Sequence, residues 1–341
     1  MNAVGFVPEP NCGRGTIGII WSCLTTIFLT TWTATHTEVK STIRKSKRKR
    51  WRFSALYFLL PEVLTGTAVD GFIDAFILRK AIRRIDGWES YSLQQAFLVR
   101  LNGVYIDDES SEPVLLQRER FLDLAHSGRI IFDDFPKSAE IDSRTKADWI
   151  AKLATVLQAT WFLANVLSRI IQNLPVTPLE DTTAASACCG LVAFLLCFRC
   201  PQDVQERFPI KLRAGDSRSG PRDTKTNEGL PELSEGHLIS LTIVLLAAFT
   251  GAHLAAWNYP FPSVVEMWMW RAAALFMFVT GAVIIGGDAL MSWNSVTYVI
   301  FGFYGICRLV MVTLAFAAFR HSPAEAYQRP SWSAYWGHIG S

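Results

Sequence analysis

TIGIIWSCLTTIFLTTWTATHTEVKSTIRKSKRKRWR, residues 16–52, joins an apolar run to a basic one. Thr16–Thr35 contains no charged residue, and about 20 apolar helical residues suffice to cross about 30 Å of hydrocarbon. Residues 36–52 then hold eight Lys or Arg against the single acid Glu38, a local charge of +7. Basic residues directly after an apolar span anchor it on the cytoplasmic face against anionic lipid. Only Arg14 precedes the apolar core, so the stretch reads as an uncleaved anchor with its N-terminus outside, not as a cleaved signal.

The rest of the chain follows from this start. Its 341 residues are 50% hydrophobic, 12% aromatic and 18% charged, with a mean hydropathy of +0.22. Soluble domains carry about 25% charged residues, so a wholly soluble enzyme and a disordered chain are both excluded. Five further runs have spanning length: Ile150–Ile171, Thr182–Phe198, His237–Trp257, Met267–Ile285 and Ser295–Phe319. Another, Phe53–Val69, is interrupted by Pro61 and Glu62 and continues to Asp70 and Asp74, acids four apart on one helical face. That pattern fits a helix lying in the interface or dipping into it.

Charge counting decides the topology. If Phe53–Val69 does not span, Asn173–Asp181 and Asn258–Glu266, which have no Lys or Arg, fall outside, and Arg199–Glu235 with seven basic residues falls inside. The expected fold is an all-α, polytopic transmembrane bundle of about six spans with both termini outside and a cytoplasmic helical insertion. Its expected parts are 1–52 (outer segment, first span, basic anchor), 53–148 (dipping stretch plus insertion), 149–210 (transmembrane hairpin), 211–235 (flexible linker), 236–320 (three spans) and 321–341 (aromatic-rich tail). Predicted partners are the bilayer, anionic headgroups at residues 40–52 and a lipophilic small molecule. The formal charge of the whole chain is only +3, which leaves −4 outside the basic cluster, so nucleic acid is not expected.

Motifs for catalysis are sparse. There is no phosphate-binding Gly-rich loop and no HExxH, and six scattered His suggest no metal cluster, so neither cofactor nor metal is expected. Cys197 and Cys200 form a CxxC without a second pair, which reads as two inert buried thiols. Asp107, Asp108 and Glu109, like Asp133 and Asp134, read as surface acids. Ionisable groups inside apolar helices are costly and mark either internal pairing or function. Arg308 lies near the middle of the last span, and Glu62 beside Pro61 is the carboxyl best suited to acid chemistry. These two are the candidate catalytic residues. Gln158, Asn165, Arg169 and Gln172 recur at helical spacing on one face, adjacent to Trp161, so Gln158, Trp161, Asn165 and Arg169 are the candidate cavity lining. Taken singly, each amide is better explained by interhelical hydrogen bonding, and His253 by a structural imidazole than by a proton donor.

Several phrases occur in the order of a known group. Cys12-Gly13-Arg14-Gly15-Thr16, Ile20-Trp21-Ser22-Cys23-Leu24-Thr25-Thr26, Thr31-Trp32-Thr33, Leu60-Pro61-Glu62, Leu157-Gln158, Trp161-Phe162, Arg169 and Leu179-Glu180 together resemble a large family of fungal multi-pass membrane proteins. The resemblance implies a fungal membrane protein and brings no assigned activity. Phe198-Arg199-Cys200-Pro201 departs from the Trp-Trp-Lys-Pro-type run of the relatives. Three classes of function fit these observations: a membrane-embedded cyclase or isomerase acting on a lipophilic intermediate of secondary metabolism, a transporter or sensor, and a non-catalytic scaffold.

Overall fold

In the computed structural model the described residues are 3–8, 14–35, 43–106, 114–144, 149–202, 204, 206–213, 244, 247–287 and 295–331. They are mostly helical. Four helices among them are long and apolar enough to cross a membrane: Thr16–Ala34, Ile150–Ile171, Pro178–Leu196 and Val299–His321. Met267–Ile285 falls within another helix, Val264–Gly287. Of His237–Trp257, residues 237–243, 245 and 246 lie outside the described residues, and its described end closes in a 3-10 helix, His253–Asn258. The linker 211–235 beyond residue 213, the acids 107–109 and the end of the tail also lie outside them.

In chain order the helices are α1 (Thr16–Ala34), α2 (Ile43–Leu59), α3 (Pro61–Ile82), α4 (Leu93–Arg100), α5 (Arg118–His126), α6 (Ser138–Arg144), α7 (Trp149–Ile171), α8 (Pro178–Leu196), α9 (Val264–Gly287) and α10 (Ser295–Ala317). α8 is the central helix, packing against α1, α3, α7 and α10. Its start is set by sequence: Pro178 occupies the first turn, where its missing N–H costs nothing, and Thr177 and Glu180 form a capping box. Its approach to α1 depends on Gly190, where an added Cβ would lie 2.6 Å from the Thr30 Cβ. Gly190→Ala is therefore expected to lower stability by about 1–3 kcal/mol through overpacking. A thermal unfolding midpoint in detergent equal to that of wild type would show that this contact relaxes freely.

α1 brings many hydroxyls into an apolar span, and its own backbone absorbs them. Thr26, Thr30, Thr31 and Thr35 each donate to the carbonyl four residues earlier, and Thr33 meets Thr155 of α7 at 2.7 Å. Large apolar side chains point outward instead: Trp21, Leu157, Trp161 and Ile306 are each more than half exposed, as suits contact with lipid.

Two short sheets tie distant segments to the two ends of the bundle. β1 (Ala3–Val4) pairs antiparallel with β5 (Ser322–Pro323), so the N-terminal segment and the chain beyond α10 share one end. Tyr259 donates to Ser322 at 2.9 Å, which places the start of the segment leading to α9 there too. At the other end β2 (Val104–Ile106) pairs antiparallel with β3 (Val114–Leu115) and parallel with β4 (Phe208–Ile210). Residues 83–144 and 206–213 thus form one body, with an aromatic core of Trp88, Tyr91, Phe121 and Phe135 at centroid separations of 5.3–5.9 Å. Helices α4 and α5 belong to this body. The strands were not anticipated, because segments of two or three residues carry no readable alternation. Asp134 pairs with Arg213 across this body at 3.2 Å.

The sharing of ends makes a direct test. Phe6→Cys and Ser127→Cys, both at exposed positions, should react with a membrane-impermeant maleimide from opposite sides of a sealed vesicle. Labelling of both from one side would refute the arrangement.

Candidate functional site

α2 and α3 form a broken helical pair whose tip reaches the middle of the bundle. The middle of α2 is held at the C-terminal end of α1, where Arg50 donates to the Trp32 carbonyl at 3.0 Å and Ser54 to Thr35 at 3.3 Å. α2 stops at Leu59 because Pro61 has no N–H to continue the hydrogen-bond ladder, and the same Pro is well placed to open α3. α3 then runs back to the insertion, with Thr65 donating to the Cys189 carbonyl halfway along α8 and Gly71 lying against the Arg100 guanidinium. The interrupted stretch therefore dips into the bundle and returns to the end it came from.

Arg308 meets this tip. It stands nine residues before the end of α10, about 14 Å at 1.5 Å per residue, close to half of a bilayer core. Its Nε donates to the Leu59 carbonyl at 2.8 Å, so a guanidinium caps the C-terminus of α2, where the dipole favours a cation. Its Nη1 lies 2.5 Å from His253 Nε2. Since Arg only donates, that nitrogen accepts, and the other ring nitrogen carries the proton and donates to the Phe249 carbonyl at 3.0 Å. His253 is thus a neutral imidazole with both nitrogens engaged. Phe249 lies under the guanidinium at 5.2 Å, and Trp270 donates to the His253 carbonyl at 3.2 Å.

Glu62 lies in the first turn of α3, where the dipole favours an acid. Both its carboxyl oxygens are buried next to the Tyr304 hydroxyl, and none of the three has a hydrogen-bond partner outside this pair. Arg308, Tyr304 and Cys189 are its electrostatic neighbours. Glu62 and Arg308, the two candidate catalytic residues, are therefore brought together. Of the acids that could have faced Arg308, Glu266 pairs instead with Arg320, and Asp288 lies outside the described residues.

The other candidates lie elsewhere. Gln158 donates to Thr26 at 3.0 Å and joins α7 to α1. Asn165 donates to the Trp161 carbonyl one turn back, and Trp161 faces outward. Arg169 is fully buried and donates to four carbonyls, Pro175 and Ala326 at 2.7 and 3.0 Å, Gln328 at 2.7 Å and Glu325 at 3.3 Å. Next to it Arg14 forms a two-pronged ion pair with Glu180, with one prong at 3.0 Å, and donates to the Ala326 carbonyl at 2.8 Å. Glu180 also accepts from the Thr177 N–H and hydroxyl. Arg14, Arg169 and Glu180 form a second cluster that fastens the segment after α10 across one end of the bundle. Every charged group in it is matched by a partner, so the arrangement is structural in character.

The sequence reading missed Tyr304 and left His253 as a lone imidazole. A signal for Tyr304 was present in its spacing four residues before Arg308, which puts both on one helical face. His253 had none, because the contact crosses 55 residues. Among the described residues no group of three or more His, Cys, Asp or Glu is placed to hold a metal ion. Cys197 and Cys200 are both buried, as fits small inert thiols.

No curated protein and no solved structure matches the chain significantly. A family model does match, over residues 1–217, a region that contains Arg14, Glu62, Arg169 and Glu180 and ends before His253, Tyr304 and Arg308. The order of phrases from Arg14 to Glu180 falls within that region, and the chain belongs to the family of unknown function DUF8562.

Proposed function

We propose that the protein is a membrane-embedded enzyme of the cyclase or isomerase type, acting on a lipophilic intermediate of fungal secondary metabolism. Glu62 serves as its acid and Arg308 as the electrostatic partner that positions the tip carrying it. The observation that carries this reading is the Glu62 carboxyl, buried at mid-depth in apolar surroundings with neither oxygen hydrogen-bonded outside its pair with Tyr304. An acid without other partners in such a place is poised to give its proton to a bound molecule. The proposal includes six spans with both termini outside, residues 83–144 and 206–213 in the cytoplasm, and anionic headgroups against residues 40–52. The same-end pairing of β2 with β4 supports that sidedness.

A transport function is the second reading, favoured by one feature. Helices broken near the bilayer midplane, with charged groups at the break, recur in transporters, and α2–α3 is such a break. Deletion of the gene followed by metabolite profiling separates the two. Accumulation of an uncyclised or unrearranged precursor, relieved by wild type but not by Glu62→Gln, is the result expected of an enzyme. An unchanged intracellular profile with altered export moves the assignment to transport.

A further inference from the structure

The Arg308 cluster leaves two groups over. Arg308 uses Nε on Leu59 and Nη1 on His253, and His253 uses its other nitrogen on Phe249. Glu62 and Tyr304, side by side, remain with three buried oxygens that bond to no third group. Among the described residues Glu62 makes no ion pair within 4 Å. A carboxylate without a cation at contact is strongly disfavoured in apolar surroundings, so the neutral acid is the form this geometry accommodates. It then offers an O–H, as does Tyr304.

Open space adjoins both groups. α3 and α10 each pack on α8, but among the described residues they do not pack on each other to any comparable extent. That arrangement leaves room for a groove over α8 between α3 and α10, with Cys189 of α8 close to Glu62. Gly66, one turn beyond Glu62, and Gly305, next to Tyr304, both face space in which an added Cβ would meet nothing within 4 Å. Phe301, Phe303 and Ile306 on the α10 wall are exposed on the lipid-facing side, so the groove opens sideways.

We propose that this groove binds a lipophilic molecule entering laterally from the bilayer, with one uncharged acceptor oxygen of the ketone or epoxide type held between the Glu62 carboxyl and the Tyr304 hydroxyl. Two donors match the two lone pairs of a single such oxygen. A fatty carboxylate would need a guanidinium with its forked face free, whereas Arg308 already caps α2 and holds His253. A lipophilic amine would need Glu62 ionised. The proposal rests on the reading of Glu62 as an acid and adds the chemistry of what it meets.

The test uses the full-length protein in detergent and dicyclohexylcarbodiimide, which modifies protonated carboxyls in apolar sites, with modification of Glu62 read by peptide mass spectrometry. Glu62 is expected to be modified, and 2-heptadecanone to slow that reaction about fivefold or more, with heptadecane much less effective. Tyr304→Phe, read against its own rate without ketone, should weaken ketone protection by about tenfold in concentration, the loss of one hydrogen bond to a buried acceptor. No modification of Glu62, equal protection by heptadecane, stronger protection by hexadecylamine or by palmitate, or full ketone protection in Tyr304→Phe would each overturn the proposal. Modification requires no turnover, so the two ideas fail separately. Ketone protection together with a Glu62→Gln strain of unaltered metabolite profile would remove the enzyme and keep the groove. Loss of product in that strain without ketone protection would do the reverse.

Discussion

Arg308→Leu is expected to cost about 3–5 kcal/mol of stability, the scale seen when one member of a buried charged contact is removed. The substitution leaves the Leu59 carbonyl without a donor at the C-terminus of α2 and the His253 imidazole without its hydrogen bond, both in a dry interior. A low yield of monodisperse protein in detergent and a large fall in the unfolding midpoint would register the loss. Arg308→Lys keeps the charge but has no fork to reach both partners, so it should fall between the two. Wild-type yield and midpoint for Arg308→Leu would remove the guanidinium from the account of the α2–α3 tip. Glu62→Gln should behave in the opposite way. It replaces a carboxyl whose oxygens bond to nothing beyond Tyr304, so the fold should tolerate it while function does not.

The second large effect is expected at Arg169→Leu, at the other cluster. The Pro175, Glu325 and Gln328 carbonyls would lose their donor, while Ala326 keeps Arg14. Each unpaired buried group costs about 1–3 kcal/mol, so the segment after α10 should come away from the bundle. Limited trypsin digestion is the measurement, with cleavage after Arg320 faster than in wild type while the helical circular dichroism is retained. Unchanged cleavage would show that β1–β5 pairing and the Tyr259–Ser322 bond hold the segment without Arg169.

Much of the architecture was legible because hydrocarbon is an exacting solvent. A run such as Thr16–Thr35 has to be helical to satisfy its backbone, and the basic residues after it have to stay in water. The Pro61 interruption likewise announced a break, since a residue without an N–H ends one helix and starts another. Arg308 and Glu62 stood out for the same reason, as ionisable groups in apolar company. These features depend only on local composition and need no knowledge of neighbours.

The helical spacing of Gln158, Asn165 and Arg169 lines them up along α7 but does not reveal what each of them meets. Gln158 meets Thr26, 132 residues away, and Arg169 meets carbonyls more than 150 residues away. Periodicity fixes the direction of a side chain on its own helix, whereas the partner is set by how helices pack. For the same reason only the tertiary structure joined Arg308 to the end of α2 and to His253, left Glu62 and Tyr304 without other partners, and matched Arg14 with Glu180. The membrane and the helices were written in the sequence, because burying an unpaired peptide group or a charge in lipid is prohibitive at any position. Which polar groups satisfy one another, and which two are left over, depends on contacts between distant segments and was decided by packing.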